Sequence, residues 1–131
     1  MGLSRSPLVP YASTLFATIF LCFGLTYILS PRTGYTLFGF VSTPSSAHDW
    51  AVMQRIMVLY GAKDVFMGAA ILASTWCGTR RSAGLVLVAA AACAGVDGWV
   101  VRSEAGTGEW NHWGYGSVAV VVGGMMLGLL G

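Results

Sequence analysis

Two aspartates stand where a carboxylate is costly to keep. Asp64 lies within WAVMQRIMVLYGAKDVFMGAAILASTW, residues 50–76, and Asp97 lies near the end of a second apolar stretch, residues 83–101. A charged carboxylate at mid-bilayer costs about 2.5 to 3.5 kcal/mol on insertion scales, so it must face protein or water rather than lipid. Two acids in one poorly hydrated cavity form an acid/base system. Burial disfavours the charged form, so the deeper Asp64 is expected to keep a proton that it can donate, and Asp97, nearer water, to stay ionised and accept one. His112, at the start of the last apolar stretch, is the third catalytic candidate. Arg55, Tyr60, Lys63, Asn111, Trp99 and Tyr115 are the candidates for positioning substrate or water.

The elements that must hold these residues are membrane helices. The chain has 131 residues, 56% of them hydrophobic and 9% charged, with a mean hydropathy of +0.71. That lies outside the composition of soluble domains and indicates one all-α integral membrane domain over residues 1–131. The net charge of +2 is small and dispersed, with no basic tract, so no nucleic-acid partner is expected. Cys22, Cys77 and Cys93 form no CxxC, which argues against a disulfide framework, a zinc site or dithiol redox chemistry.

Hydrophobic runs predict four helices, at about 10–29, 50–76, 83–101 and 112–130, packed as a transmembrane four-helix bundle. The first run is longer than a signal-peptide core and no A-x-A-like site follows it. Its helix should stop at Ser30-Pro31. Residues 31–49, PRTGYTLFGFVSTPSSAHD, read as a loop at the membrane surface, CGTRRS (77–82) as a tight basic turn and RSEAGTGEWN (102–111) as a polar connection. Four crossings place both termini on one side. Arg5, Arg80 and Arg81 fall there, so the positive-inside tendency makes it cytoplasmic, with Arg32, Arg102, Asp49, Glu104 and Glu109 opposite. A multi-pass protein of the endoplasmic reticulum membrane is the expectation, its acidic end towards the lumen.

Residue 50 to residue 76 spans roughly 40 Å as a helix, more than the ~30 Å hydrocarbon layer. From its lumenal start Arg55 is about 8 Å deep and Asp64 about 21 Å, while Asp97 is about 6 Å from the same surface. Arg55, Asp97 and His112 at one level, with Tyr60 and Asp64 below, describe a funnel. Met57, Tyr60, Gly61, Asp64 and Gly68 share a helix face, and the glycines allow a neighbouring helix or ligand to approach.

Plainer roles compete for the same residues. Lys63 and Asp64 would make an intramembrane ion pair that fixes helix packing. Arg55 lies about 180° from Asp64 on an ideal helix and is near enough to an end to snorkel. Asp97 has Arg55 or Arg102 as candidate partners. His112 would suit an interfacial aromatic belt, and His48 with His112 lacks the further ligands a haem or metal would need, so no cofactor is expected. Met53, Met57, Met67, Met125 and Met126 read as packing. Gly123, Gly124 and Gly128 would allow a homotypic contact and hence a homo-oligomer.

The segments GAKDVFMG around Asp64, GVDGW around Asp97 and NHWGYG at the last helix resemble a family of small, mostly fungal, four-helix membrane proteins catalogued as a domain of unknown function. The resemblance runs from about Tyr11 to the C-terminus, and the architecture is similar to the DoxX-like group. Some relatives resemble the membrane hydrolases of fungal polyketide clusters, such as those making aurovertin and citreoviridin, which open epoxides on a polyene. The resemblance therefore implies an epoxide hydrolase or cyclase of secondary metabolite biosynthesis, with Asp64, Asp97 and His112 in matching segments. By analogy of roles with soluble limonene-type epoxide hydrolases, Arg55, Tyr60 and Asn111 would support the two acids. The substrate would be lipophilic and would enter from the bilayer. The alternatives are another acid/base cyclase or isomerase, and a non-enzymatic DoxX-like membrane subunit.

Overall fold

The computed structural model describes residues 3–130. A 3-10 turn at Leu3–Arg5 leads into five α-helices: α1 (Leu8–Leu29), α2 (Pro31–Phe38), α3 (Ala47–Trp76), α4 (Arg80–Ala105) and α5 (Trp110–Leu127), with no strand among the described residues. Helices α1, α3 and α4 are long and apolar enough to cross a membrane, about 33, 45 and 39 Å at the usual helical rise. By length and composition these three point to a membrane protein. The α5 helix is shorter, at 18 residues, and opens on the polar and aromatic residues WNHWGYGS.

The structure corrects the helix boundaries, and local capping explains the differences. The Ser46 hydroxyl accepts the Asp49 amide at 3.1 Å, so α3 begins at Ala47. Thr79 and Ser82 form a reciprocal capping box, which places Arg80 and Arg81 in the first turn of α4 rather than in a basic turn. At its other end α4 runs on to Ala105 and is closed by Gly106 at φ 73°.

The main correction is α2, which occupies part of the stretch read as a surface loop. Pro31 stops α1, and it also suits the first helical position, where its missing N–H and fixed φ cost nothing. Gly39, at φ 106°, ends the helix after Phe38. Gly34, Tyr35 and Phe38 form its buried face. The segment that follows is tied down twice. The Tyr35 hydroxyl donates to the Ser42 carbonyl, and Glu104 of α4 accepts from the amides of Val41 and Ser42, at 3.3 and 3.0 Å, and from the Ser42 hydroxyl.

The long helices associate as two close pairs, α1 with α3 and α4 with α5, which touch one another less extensively. Glycine makes both pairs close. A Cβ on Gly61 would lie 2.6 Å from the Gly24 carbonyl oxygen, and one on Gly84 would lie 2.8 Å from that of Gly123. The glycines on the Asp64 face therefore admit a helix, α1. Gly123, a candidate for a homotypic contact, is instead occupied by α4; Gly124 is buried within the chain and Gly128 closes α5 at φ 81°. One core cluster, including Phe16, Ile71, Leu87, Ala119 and Met126, draws on all four long helices. A smaller one gathers Tyr27, Tyr35, Phe38, Met57 and Val101 at the α2 end. The methionines Met57, Met67 and Met126 serve as packing.

Candidate functional site

The seam between the two helix pairs holds a cavity of about 270 Å³ beneath the end of α2. Tyr27 of α1, Phe38 of α2, Tyr60 and Asp64 of α3, Asp97 of α4, and Asn111, His112 and Tyr115 of α5 line it, with Phe23 and Leu37 on one side. Six of the nine candidates read from the sequence thus meet in one hollow: Tyr60, Asp64, Asp97, Asn111, His112 and Tyr115.

Lys63 joins the two acids. Its ammonium lies 3.3 Å from Asp64 Oδ1 and 3.9 Å from Asp97 Oδ2, and 3.5 Å from the centre of the Tyr60 ring, a cation–π distance. The funnel with Asp64 far below Asp97 is therefore corrected: two carboxylates held by one nitrogen, at 3.3 and 3.9 Å, cannot stand that far apart in depth. Counting residues along the helices misjudges them because it puts the ends of α3 and α4 at one level, whereas two acids sharing one ammonium require the start of α3 to project beyond the end of α4. Asp97 pairs with Lys63 and not with either arginine proposed for it. Arg102 is held at 2.5 Å by the buried Glu109 instead.

Two further candidates lie outside. Arg55 is exposed and lines a separate surface hollow of about 560 Å³ with Pro31, Gln54 and Leu59, as its position opposite Asp64 on α3 requires. This hollow is larger but contains neither acid. Trp99 is 64% exposed; two residues from Asp97, it points away from the seam.

His112 is buried, and its Nε2 lies 2.8 Å from the Phe38 carbonyl oxygen. A carbonyl only accepts, so Nε2 carries the proton, and in the neutral ring Nδ1 is left as an acceptor. His112 Nδ1, Tyr60 Oη and Asp64 Oδ1 are all buried without a hydrogen-bond partner among the described residues. The Lys63–Asp64 contact is close enough for ion pairing but is not aligned as a hydrogen bond. Buried polar atoms are normally paired, so three orphans around one hollow mark a place for water or a ligand.

The sequence did not point to Phe38 or Tyr27. Phe38 packs against the rings of Tyr60, Phe40 and His112 and accepts from His112, so α2 roofs the cavity. The spacing of Gly34, Tyr35 and Phe38 behind Pro31 was the available signal. Tyr27 was one polar atom in an apolar run. Among the described residues no three His, Cys, Asp or Glu side chains are grouped to hold a metal ion; His48 is exposed at the start of α3, whereas His112 is buried.

No curated protein and no solved structure matches the chain. A family model, the domain of unknown function DUF4267, matches residues 17–126, which include every residue lining the cavity. The chain belongs to the DUF4267 family.

Proposed function

We propose that the chain is a membrane-embedded enzyme that opens an epoxide on a lipophilic, polyketide-type substrate by general acid/base catalysis, as a hydrolase or a cyclase. The observation that carries this reading is the single cavity where Asp64, Asp97 and His112 converge with three unpartnered buried polar atoms. Charge supports it. One ammonium balances one carboxylate, so in a poorly hydrated site the other acid is most cheaply neutral, holding a proton it can give.

In the proposed step Asp64, the more deeply buried of the two acids, gives that proton to the epoxide oxygen as the C–O bond breaks. A water or an internal hydroxyl attacks the carbon from the opposite side, and its proton passes to His112 Nδ1 and from there to Asp97. Water gives a diol; an internal hydroxyl gives a cyclic ether without consuming water. Return of one proton to Asp64 restores the site. Lys63 and Tyr60 position the acids and the oxygen, and Asn111 and Tyr115 shape the wall.

The topology that goes with this has α5 as a fourth crossing, a four-helix bundle with both termini on the cytoplasmic side of the endoplasmic reticulum membrane. The Arg80 guanidinium donates to the Ser6 carbonyl at 2.9 Å, and Val9, Ala83 and Met126 share one core cluster, which supports putting the chain ends and the α3–α4 turn together.

A second reading is favoured by the Lys63–Asp97 contact, which joins α3 to α4: a non-enzymatic DoxX-like subunit in which the charges only hold helices. Turnover of a lipophilic epoxide in oxygen-18 water separates the cases. Hydrolysis puts the label in the product, and cyclisation or isomerisation leaves it unlabelled. No consumption of any lipophilic epoxide supports the subunit.

A further inference from the structure

We propose that a groove on the outer face of α1, lined by Thr18, Ile19, Cys22, Phe23, Thr26 and Leu37, is the subsite for the hydrocarbon chain of an amphiphilic substrate whose reactive polar group lies in the acid cavity. The inference rests on the acid/base reading above. The acid cavity, at about 270 Å³, falls short of the ~300–1,000 Å³ typical of sites that enclose a drug-sized ligand. It holds a reacting group, and a lipophilic molecule must continue out of it.

Two apolar hollows come near the cavity: one shares lining residues with it, and the other reaches only Lys63, which contacts its two acids. The crevice between α3 and α4, about 410 Å³ and lined by Phe66, Ala90 and Cys93, begins at Lys63. A chain leaving that way must displace an ammonium held by two carboxylates and strand buried charge. The α1 groove, about 230 Å³, shares Phe23 and Leu37 with the acid cavity itself. Both side chains are partly exposed, 37% and 51%, and parting them costs only apolar contact that a hydrocarbon restores.

The groove is chemically plain. The Thr18 and Thr26 hydroxyls donate to the carbonyls of Thr14 and Cys22 in their own helix, at 3.0 and 2.8 Å, which leaves the weakly donating Cys22 thiol as the lining's free side-chain donor for a polar ligand. Because α2 buries Gly34, Tyr35 and Phe38, it leaves Leu37 on the outside, at the doorway. The substrate class that fits is a long-chain molecule with its polar reactive group at one end of an uninterrupted hydrocarbon stretch.

Photocrosslinking tests this without requiring turnover. The full chain in phosphatidylcholine nanodiscs is illuminated with a long-chain terminal epoxide carrying a mid-chain diazirine, and adducts are mapped by mass spectrometry. The expected adducts fall within residues 18–26 and on Leu37, are competed by the unlabelled epoxide, and drop at least about tenfold when Cys22→Trp or Thr18→Phe fills the groove. Competed adducts on Phe66, Ala90 or Cys93 overturn the subsite, as do α1 adducts that neither competition nor the variants reduce. Competed α1 adducts with no epoxide consumption uphold the subsite and sink the reaction; turnover with adducts elsewhere does the reverse.

Discussion

His112 and Phe38 are 74 positions apart in sequence and 2.8 Å apart in space, joined through the imidazole Nε2 and the last carbonyl of α2. The contact has two consequences. It satisfies a helix-end carbonyl that α2 leaves free, and it fixes which imidazole nitrogen is left as the free acceptor. Replacing His112 by Phe should therefore cost about 1–3 kcal/mol, the penalty for an unsatisfied buried carbonyl, seen as a lower melting temperature in detergent. His112→Gln, whose amide still donates, should recover melting but not turnover. Full turnover by the Gln variant would remove His112 from the chemistry and leave it a structural tie.

Lys63 couples α3 to both acids. Its side chain is 34% exposed, so Lys63→Met should destabilise the fold by about 1–3 kcal/mol, less than the ~3–5 kcal/mol of breaking a fully buried pair. In a double-mutant cycle with Asp97→Asn the losses should be less than additive. Strict additivity of the melting shifts would mean that the two groups do not interact.

The α1–α3 pair depends on glycine at one crossing. Gly61→Ala places a Cβ 2.6 Å from backbone, and overpacking of this kind typically costs ~1–3 kcal/mol. Gly95→Ala, on α4, meets nothing within 4 Å and should be neutral or gain up to about 1 kcal/mol from the better helix former. Equal melting of the two variants would contradict the close crossing.

Much of this architecture is legible in the sequence because lipid imposes a simple rule: long apolar runs become helices, and the acids inside them turn inward. Six of the nine candidate residues meet for that reason. The failures have physical causes as well. Pro31 carries two meanings, the end of one helix and the start of another, and the stop alone was read, so α2 and Phe38 were missed. Arg55 and Trp99 sit close in sequence to the acids but on other faces of their helices. Counting from apolar runs separates Asp97 from Asp64 in depth because it assumes that α3 and α4 end at one level, and how far one helix projects past its neighbour is set by packing that neither run records. Pairing of Arg102 with Glu109, and of Lys63 with Asp97, depends on which helices adjoin, which no single apolar run records.

The central claim is that Asp64 and Asp97 serve the two sides of one displacement, Asp64 the departing epoxide oxygen and Asp97 the attacking one, and single-residue amide replacements test it most directly. Asp64→Asn and Asp97→Asn preserve shape and remove a proton-transfer group, so each should lower turnover of a lipophilic epoxide in nanodiscs by about 10²–10⁴-fold, with each folded variant still running as the wild type does on size exclusion. Wild-type turnover in both folded variants would contradict the account and leave the carboxylates as ties between helices.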